Sequence, residues 1–216
     1  MYLQVIHIGK KIDPLCLFLP HRINPRMKTG LFFGSFNPIH NGHIALAAQM
    51  IQRTDLEEFW FVVTPQNPLK NKTDLLEDAQ RLRLVRLAVE DIPDMRVSDV
   101  EFHMPRPSYT IDTLKHLSGQ YPDREFILVM GSDGLENFSL WKNHEEIVKK
   151  YSRYIYPRPG TPPGFLNNVR NVKIIEAPPL NISSTKIRTA LALNQDVGHL
   201  LPPKVYQAIL QEGWYK

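Results

Sequence analysis

Leu31-Phe32-Phe33-Gly34-Ser35-Phe36-Asn37-Pro38-Ile39-His40-Asn41-Gly42-His43 changes character twice within a short span. Leu31–Phe33 is an apolar run that predicts a buried strand, and the Gly, Asn and Pro after it predict a loop. Asn41 is the candidate N-cap of a helix through Ile51, with Ile44, Leu46, Ala47, Ala48 and Ile51 as its apolar set. Strand, loop and helix start together form the opening unit of an α/β fold, and the rest of the chain repeats it. Phe59–Val63, Met95–Val97, Phe126–Met130, Arg153–Tyr156 and Val172–Ile175 read as further strands. Between them, Asp74 with Glu77 resembles a capping box opening a helix to Glu90. Ser108 or Thr110 caps a helix to about Ser118, and Asn143 caps one to Lys150. Short helices follow near Thr185–Leu193 and Pro203–Glu212, while Pro157–Gly164 reads as a surface loop. Alternation of this kind implies a doubly wound parallel sheet with helices on both faces.

Composition narrows the function classes. The chain has 216 residues, 43% of them hydrophobic, which suits one domain with a sizeable core. One cysteine excludes an internal disulfide and a thiolate metal cage. No run approaches the ~18 apolar residues that cross a bilayer, so no membrane partner is expected. The net charge of +4 is unevenly spread. Residues 1–26 carry a balance of +3 and the lone Cys16, which leaves +1 for residues 27–216. Leu15–Leu19 is too short for a secretory signal, and 1–26 is expected to be a disordered or loosely packed extension outside the fold. The near-neutral remainder, 27–216, is expected to be the single domain, and it has no basic stripe for nucleic acid.

Two stretches carry chemistry. The first loop must lie beyond the carboxyl end of its strand, where doubly wound sheets bind ligands, and it ends at a helix start, whose N–H groups attract phosphate. His40 and His43, three apart, can aim at one point from a first helical turn, and Gly42 lets the backbone approach closely. Against this stands the plain reading of two surface histidines in a turn; as a zinc site the pair is thin, having no Cys or carboxylate nearby. Ile182-Ser183-Ser184-Thr185-Lys186-Ile187-Arg188 sets three hydroxyl residues at a second helix start, with Arg188 a turn downstream. Alone it reads as an ordinary Ser/Thr cap with a solvated Arg. Together the two starts suit a polyphosphate held from both sides. Arg81, Arg83 and Arg86 read as the polar face of their helix, and His103, His116, His144 and His199 as structural or surface residues.

These stretches resemble the HxGH and ISSTxIR pair of the nucleotidylyltransferase superfamily. Within it, Thr64–Lys70, Ser108–Leu114, Gly131-Ser132-Asp133, Trp141 and Tyr156–Gly160 are similar to the bacterial nicotinate-nucleotide adenylyltransferase family. The likeness runs from about residue 28 to the C-terminus. Phe33, Ser35 and Asn37 depart from the family's usual Gly, Thr and Asp, and nothing in 1–26 matches. The resemblance implies a Rossmann-like fold, a cytoplasmic place in NAD biosynthesis, and transfer of AMP from ATP to nicotinate mononucleotide. It implies catalytic roles for His40, His43 and Arg188. It implies ATP and phosphate contacts from Gly34, Ser35, Phe36, Gly42, Gly131, Asp133, Ile182, Ser183, Ser184 and Thr185. The acid substrate falls to Lys70, Thr110, Trp141 and Lys142. Mg²⁺ is expected on the ATP phosphates, with no protein metal site, and assembly into a homo-oligomer is left open. The alternatives are another acceptor (nicotinamide mononucleotide or phosphopantetheine) and a non-catalytic nucleotide sensor on the same fold.

Overall fold

The computed structural model describes residues 26–65, 75–158, 172–175 and 182–216. Nearly all of the expected extension, Lys70, Asp74 and most of the Pro157–Gly164 loop lie outside them. Six strands form one sheet: β1 Met27–Gly34, β2 Glu58–Val63, β3 Met95–Ser98, β4 Arg124–Gly131, β5 Arg153–Tyr156 and β6 Val172–Ile174. Their order is β3-β2-β1-β4-β5-β6, every pair parallel. That is the doubly wound order, with its switch point between β1 and β4. At the centre, Leu31 sits opposite Trp60 of β2 and Leu128 of β4.

The helices are α1 Asn41–Arg53, α2 Asp78–Val89, α3 Thr110–Gln120, a short α4 Asp133–Glu136, α5 His144–Lys150, α6 Ser184–Ala192 and α7 Pro203–Glu212. They cover both faces of the sheet. Because side chains alternate along a strand, Phe59, Phe61 and Val63 of β2 face α1, α2, α6 and α7, while Trp60 and Val62 face α3 and α5. All six residues of β2 are buried, which accounts for its run of aromatic and β-branched residues. Cutting Phe59 or Phe61 to Ala would cost about 3–5 kcal/mol.

Several local expectations are corrected. The N-caps of α1, α2 and α3 are His40, Glu77 and Tyr109, so Asn41 and Thr110 are first helical residues. Asn41 instead donates its side-chain amide to the His199 carbonyl, and Ser108 donates its hydroxyl to Glu101. The capping box of α2 pairs Glu77 with Gln80. In α1, Met50 is in the core and Ala48 is exposed. The largest correction is Arg81, which is fully buried and shares no polar face with Arg83 and Arg86. Asn143 does cap α5, in a left-handed conformation at φ 49°.

Candidate active site

A cleft of about 1040 Å³ opens at the carboxyl ends of the central strands. It is bounded by the β1–α1 loop, the starts of α3 and α6, and the exits of β4 and β5. His40, His43 and Arg188 line it, as do Gly34, Ser35, Phe36, Gly42, Gly131, Asp133 and Ile182–Thr185. So do Thr110, Trp141 and Lys142, so sequence-distant residues converge here as the doubly wound topology requires. Lys70 lies outside the described residues.

The two histidines are stacked, ring centroids 3.7 Å apart and 17° from parallel. The His40 backbone N–H donates to Nδ1 of His43 at 3.2 Å. In the neutral ring that acceptor carries no hydrogen, so Nε2 of His43 bears it. Phe36 meets the His43 ring edge-on at 5.2 Å and fixes its tilt. His40 is buried, and its Nδ1 has no hydrogen-bond partner among the described residues. Burial, with the Arg158 guanidinium adding to it, pulls His40 down to about 4. Burial first, then His40 and Arg158, holds His43 well below the ordinary histidine range. Both rings are therefore neutral at pH 7 and offer N–H donors in place of charge.

The loop that carries them is built tightly. Phe36 sits at φ 47° with its ring buried in the core, and that burial holds the strained backbone. A Cβ on Gly34 would lie 2.8 Å from the Phe36 ring, and one on Gly42 would lie 3.0 Å from the His40 ring. Glycine at these two positions makes room for rings. The loop's carbonyls are tied from outside: Ser35 O accepts from Arg81 Nη1 at 2.6 Å, Asn37 O from Arg188 Nη1 at 2.9 Å, and Pro38 O from Ser184 Oγ at 3.0 Å. Arg81 goes further. Its other donors reach the carbonyls of Thr64, Pro65 and Leu76 at 2.9–3.1 Å and the Asp78 carboxylate at 2.6 Å. All five guanidinium hydrogens are used, which is what lets a cation be buried.

Across the cleft, Ser183 caps α6, and Ser184 and Thr185 are its first helical residues. The Ser184 hydroxyl is committed to Pro38, which leaves that residue its backbone N–H, while the Thr185 side chain is exposed. At the exit of β4, a Cβ on Gly131 would fall 2.3 Å from Asp133 Oδ1. Asp133 Oδ1 accepts from the Gly134 N–H at 3.1 Å and lies 3.7 Å from Arg158 Nε. On the remaining wall, the Trp141 ring packs on Phe138 at 5.3 Å. Lys142 Nζ pairs with Asp112 at 2.8 Å and sits 4.5 Å from the Tyr109 ring centroid, tying this wall to α3. Thr110, as the first residue of α3, has an amide N–H that the helix itself does not use.

Sequence reading missed two members of the wall. Arg158 stacks on Tyr156 at 5.1 Å, donates to its hydroxyl at 2.9 Å, and projects positive charge onto the histidine pair. Its signal was its place just beyond β5, on the edge where ligands bind. Glu101 is buried, accepts from Ser108 Oγ at 3.0 Å and Thr113 Oγ1 at 2.8 Å, and has its pKa raised by burial. No spacing signal marks it. Among the described residues no group of three or more His, Cys, Asp and Glu could hold a metal ion. No described helix is long and apolar enough to cross a membrane.

A doubly wound sheet whose cleft is lined by two helix starts at the switch point is a scaffold suited to nucleotides, and comparison with known proteins supplies the class. Residues 31–190 match the family model described as cytidylyltransferase-like. A Cytophaga hutchinsonii protein named "Probable nicotinate-nucleotide adenylyltransferase" is 46% identical over 189 residues, covering 88% of this chain and 98% of that one. A Bacteroides fragilis protein of the same name is 50% identical over 187 residues, covering 87% and 93%. The chain belongs to the cytidylyltransferase-like family, and within it to the nicotinate-nucleotide adenylyltransferases. Among solved structures, Plasmodium falciparum nicotinic acid mononucleotide adenylyltransferase complexed with NaAD matches with a TM-score of 0.74. That match covers 87% of this chain and 97% of the other, and at 21% identity it speaks for the fold alone.

Proposed function

We propose that this chain transfers AMP from ATP to nicotinate mononucleotide, giving nicotinate adenine dinucleotide and pyrophosphate in the cytoplasm. The observation that carries the reading is the convergence of the neutral His40–His43 stack and Arg188 on one cleft between two helix starts. An oxygen of the mononucleotide's 5′-phosphate attacks the α-phosphorus of ATP. The new P–O bond forms as the α–β bridging P–O bond breaks, and pyrophosphate leaves with the electron pair. No protein nucleophile or proton transfer is needed, so catalysis is alignment and stabilisation of charge.

Each residue then has a part. Nε2–H of His43 donates to an α-phosphate oxygen, and His40 serves the neighbouring phosphates. Backbone N–H groups of Ser35 and Phe36, with Gly42 at the α1 start, surround the same oxygens, and Gly34 leaves room for the Phe36 ring that shapes the loop. The start of α6 at Ile182–Thr185 and Arg188 hold the β and γ phosphates, where charge grows on the leaving group. Asp133 takes ribose hydroxyls, and Gly131 allows the nucleoside to approach. The Thr110 and Lys142 amides receive the pyridine carboxylate, and Trp141 stacks on the ring. Lys70 serves the mononucleotide phosphate. Mg²⁺ would come with ATP and be held through its phosphates, with no protein ligand required, and would supply charge neutralisation there. The donor set fits that arrangement, since Asn37 Oδ1 is already taken by the Leu76 N–H and the Tyr215 hydroxyl.

The decisive assay offers purified protein ATP, Mg²⁺ and each acceptor in turn: nicotinate mononucleotide, nicotinamide mononucleotide and phosphopantetheine. Turnover with the nicotinate form well above the others is expected. Equal or better use of the amide form would overturn the substrate assignment, and ATP binding without pyrophosphate release would mark a sensor.

A further inference from the structure

The end of the described chain reaches into the phosphate loop. Helix α7 closes at Gly213 in a left-handed turn of φ 67°, and the chain folds back. Trp214 packs on the core, with the Arg83 guanidinium 5.7 Å from its ring centroid. Tyr215 takes φ 65°, a conformation an ordinary side chain adopts only when its surroundings hold it there. The outcome is a contact between residues 178 apart: the Tyr215 hydroxyl donates to Asn37 Oδ1 at 2.8 Å.

Asn37 is a junction. Its Oδ1 also accepts the Leu76 N–H at 3.2 Å, and its backbone oxygen accepts Arg188 Nη1 at 2.9 Å. Asn37 is buried, so a lost partner is not replaced by bulk water. Burial raises the Tyr215 phenol well above its usual pKa, although Arg188 and Arg81 pull the other way, so it remains an O–H donor at neutral pH.

We propose that Tyr215 is a positioning residue for adenylyl transfer: its hydroxyl fixes the Asn37 side chain, and through the Asn37 carbonyl it sets where the Arg188 guanidinium stands. The inference rests on the proposed reaction, in which Arg188 meets charge that develops on the leaving pyrophosphate. A shift of Arg188 then weakens the transition state more than the bound ground state, so kcat falls while KM changes little.

The test is Tyr215→Phe, which removes one oxygen and keeps the ring. It is expected to lower kcat about ten-fold, the scale of one buried hydrogen bond, with KM for ATP within about three-fold of wild type. A double-mutant cycle separates positioning from general support of the C-terminal turn. In an Asn37→Ala background, or Asn37→Ser should that chain not fold, Tyr215→Phe is expected to change kcat less than two-fold, because the partner oxygen is gone. Wild-type kcat in Tyr215→Phe, or the same ten-fold loss in both backgrounds, would overturn the proposal. The wild type is assayed first. Should it form no dinucleotide, the functional reading fails on its own, and the clamp is judged by calorimetric affinity for pyrophosphate, which carries in full the charge that Arg188 meets. A loss of at least five-fold in Tyr215→Phe then supports it, and unchanged affinity overturns it.

Discussion

Acid should destabilise this protein through its two cleft histidines before most carboxylates begin to titrate. An unfolded histidine titrates near 6.5, and His40 in the folded chain is held at about 4. The unfolded chain therefore takes up a proton that the folded chain refuses. Stability is full above about pH 6.5, falls as the pH drops through the window to 4, and levels off below it. For His40 alone the loss between pH 7 and pH 5 comes to about 2 kcal/mol, rising to about 3 kcal/mol at the lower plateau. The residue is 5% exposed, so little of this is lost to solvent screening. His43 is shifted in the same direction and steepens the fall. Glu101, whose pKa is raised, acts with the opposite sign at the acid end. Urea unfolding at pH 7, 6 and 5, run on wild type and His40→Gln, isolates the contribution. The wild type should lose about 2 kcal/mol more than the variant over that range. Parallel losses in the two proteins would refute the claim that His40 is buried neutral.

His43→Ala should lower turnover by about 10²–10³-fold with the fold intact by circular dichroism, the scale seen when one preorganised donor is removed; near-normal turnover would remove it from the reaction. Gly42→Ala puts a methyl 3.0 Å from the His40 ring, so the stack must open and kcat should fall about ten-fold; an unchanged rate would show that the pair tolerates displacement. Arg81→Met leaves four carbonyls and Asp78 without their donor and should cost about 3–5 kcal/mol in urea unfolding, whereas a loss under ~1 kcal/mol would show that water replaces the guanidinium.

The sheet was legible because its strands are short apolar runs and its helices repeat at the helical period. The cleft was legible because the topology dictates which strand ends meet, so His40, Arg188, Thr110 and Trp141 could be brought together unseen. Helix starts were displaced by a residue or more because cap identity depends on backbone angles: His40 at φ −146° is the cap that its neighbour Asn41 was expected to be. Arg81 was misread for a different reason. On a helix it stands ~200° from Arg83, which sets it on the opposite face, so the spacing itself carried the signal. Glu101 and Tyr215 carried no comparable signal, since their partners are fixed by tertiary packing, in Tyr215's case from the far end of the chain. The hydroxyl of Ser184 shows the limit of motif reading, because a residue type suited to phosphate is used to hold a loop.

Arg81 has a consequence for how the chain can vary. A ligand-facing residue can be exchanged at the expense of its ligand alone. Arg81 binds backbone from Ser35, Thr64, Pro65 and Leu76, so its own hold depends on where those carbonyls stand and not on the side chains they carry. Substitutions along those segments are thus buffered, whereas insertions or deletions, which displace the backbone itself, are not. Drift in this region should run through residue identity at constant loop length, and a change of length should require a compensating change at Arg81 or Asp78.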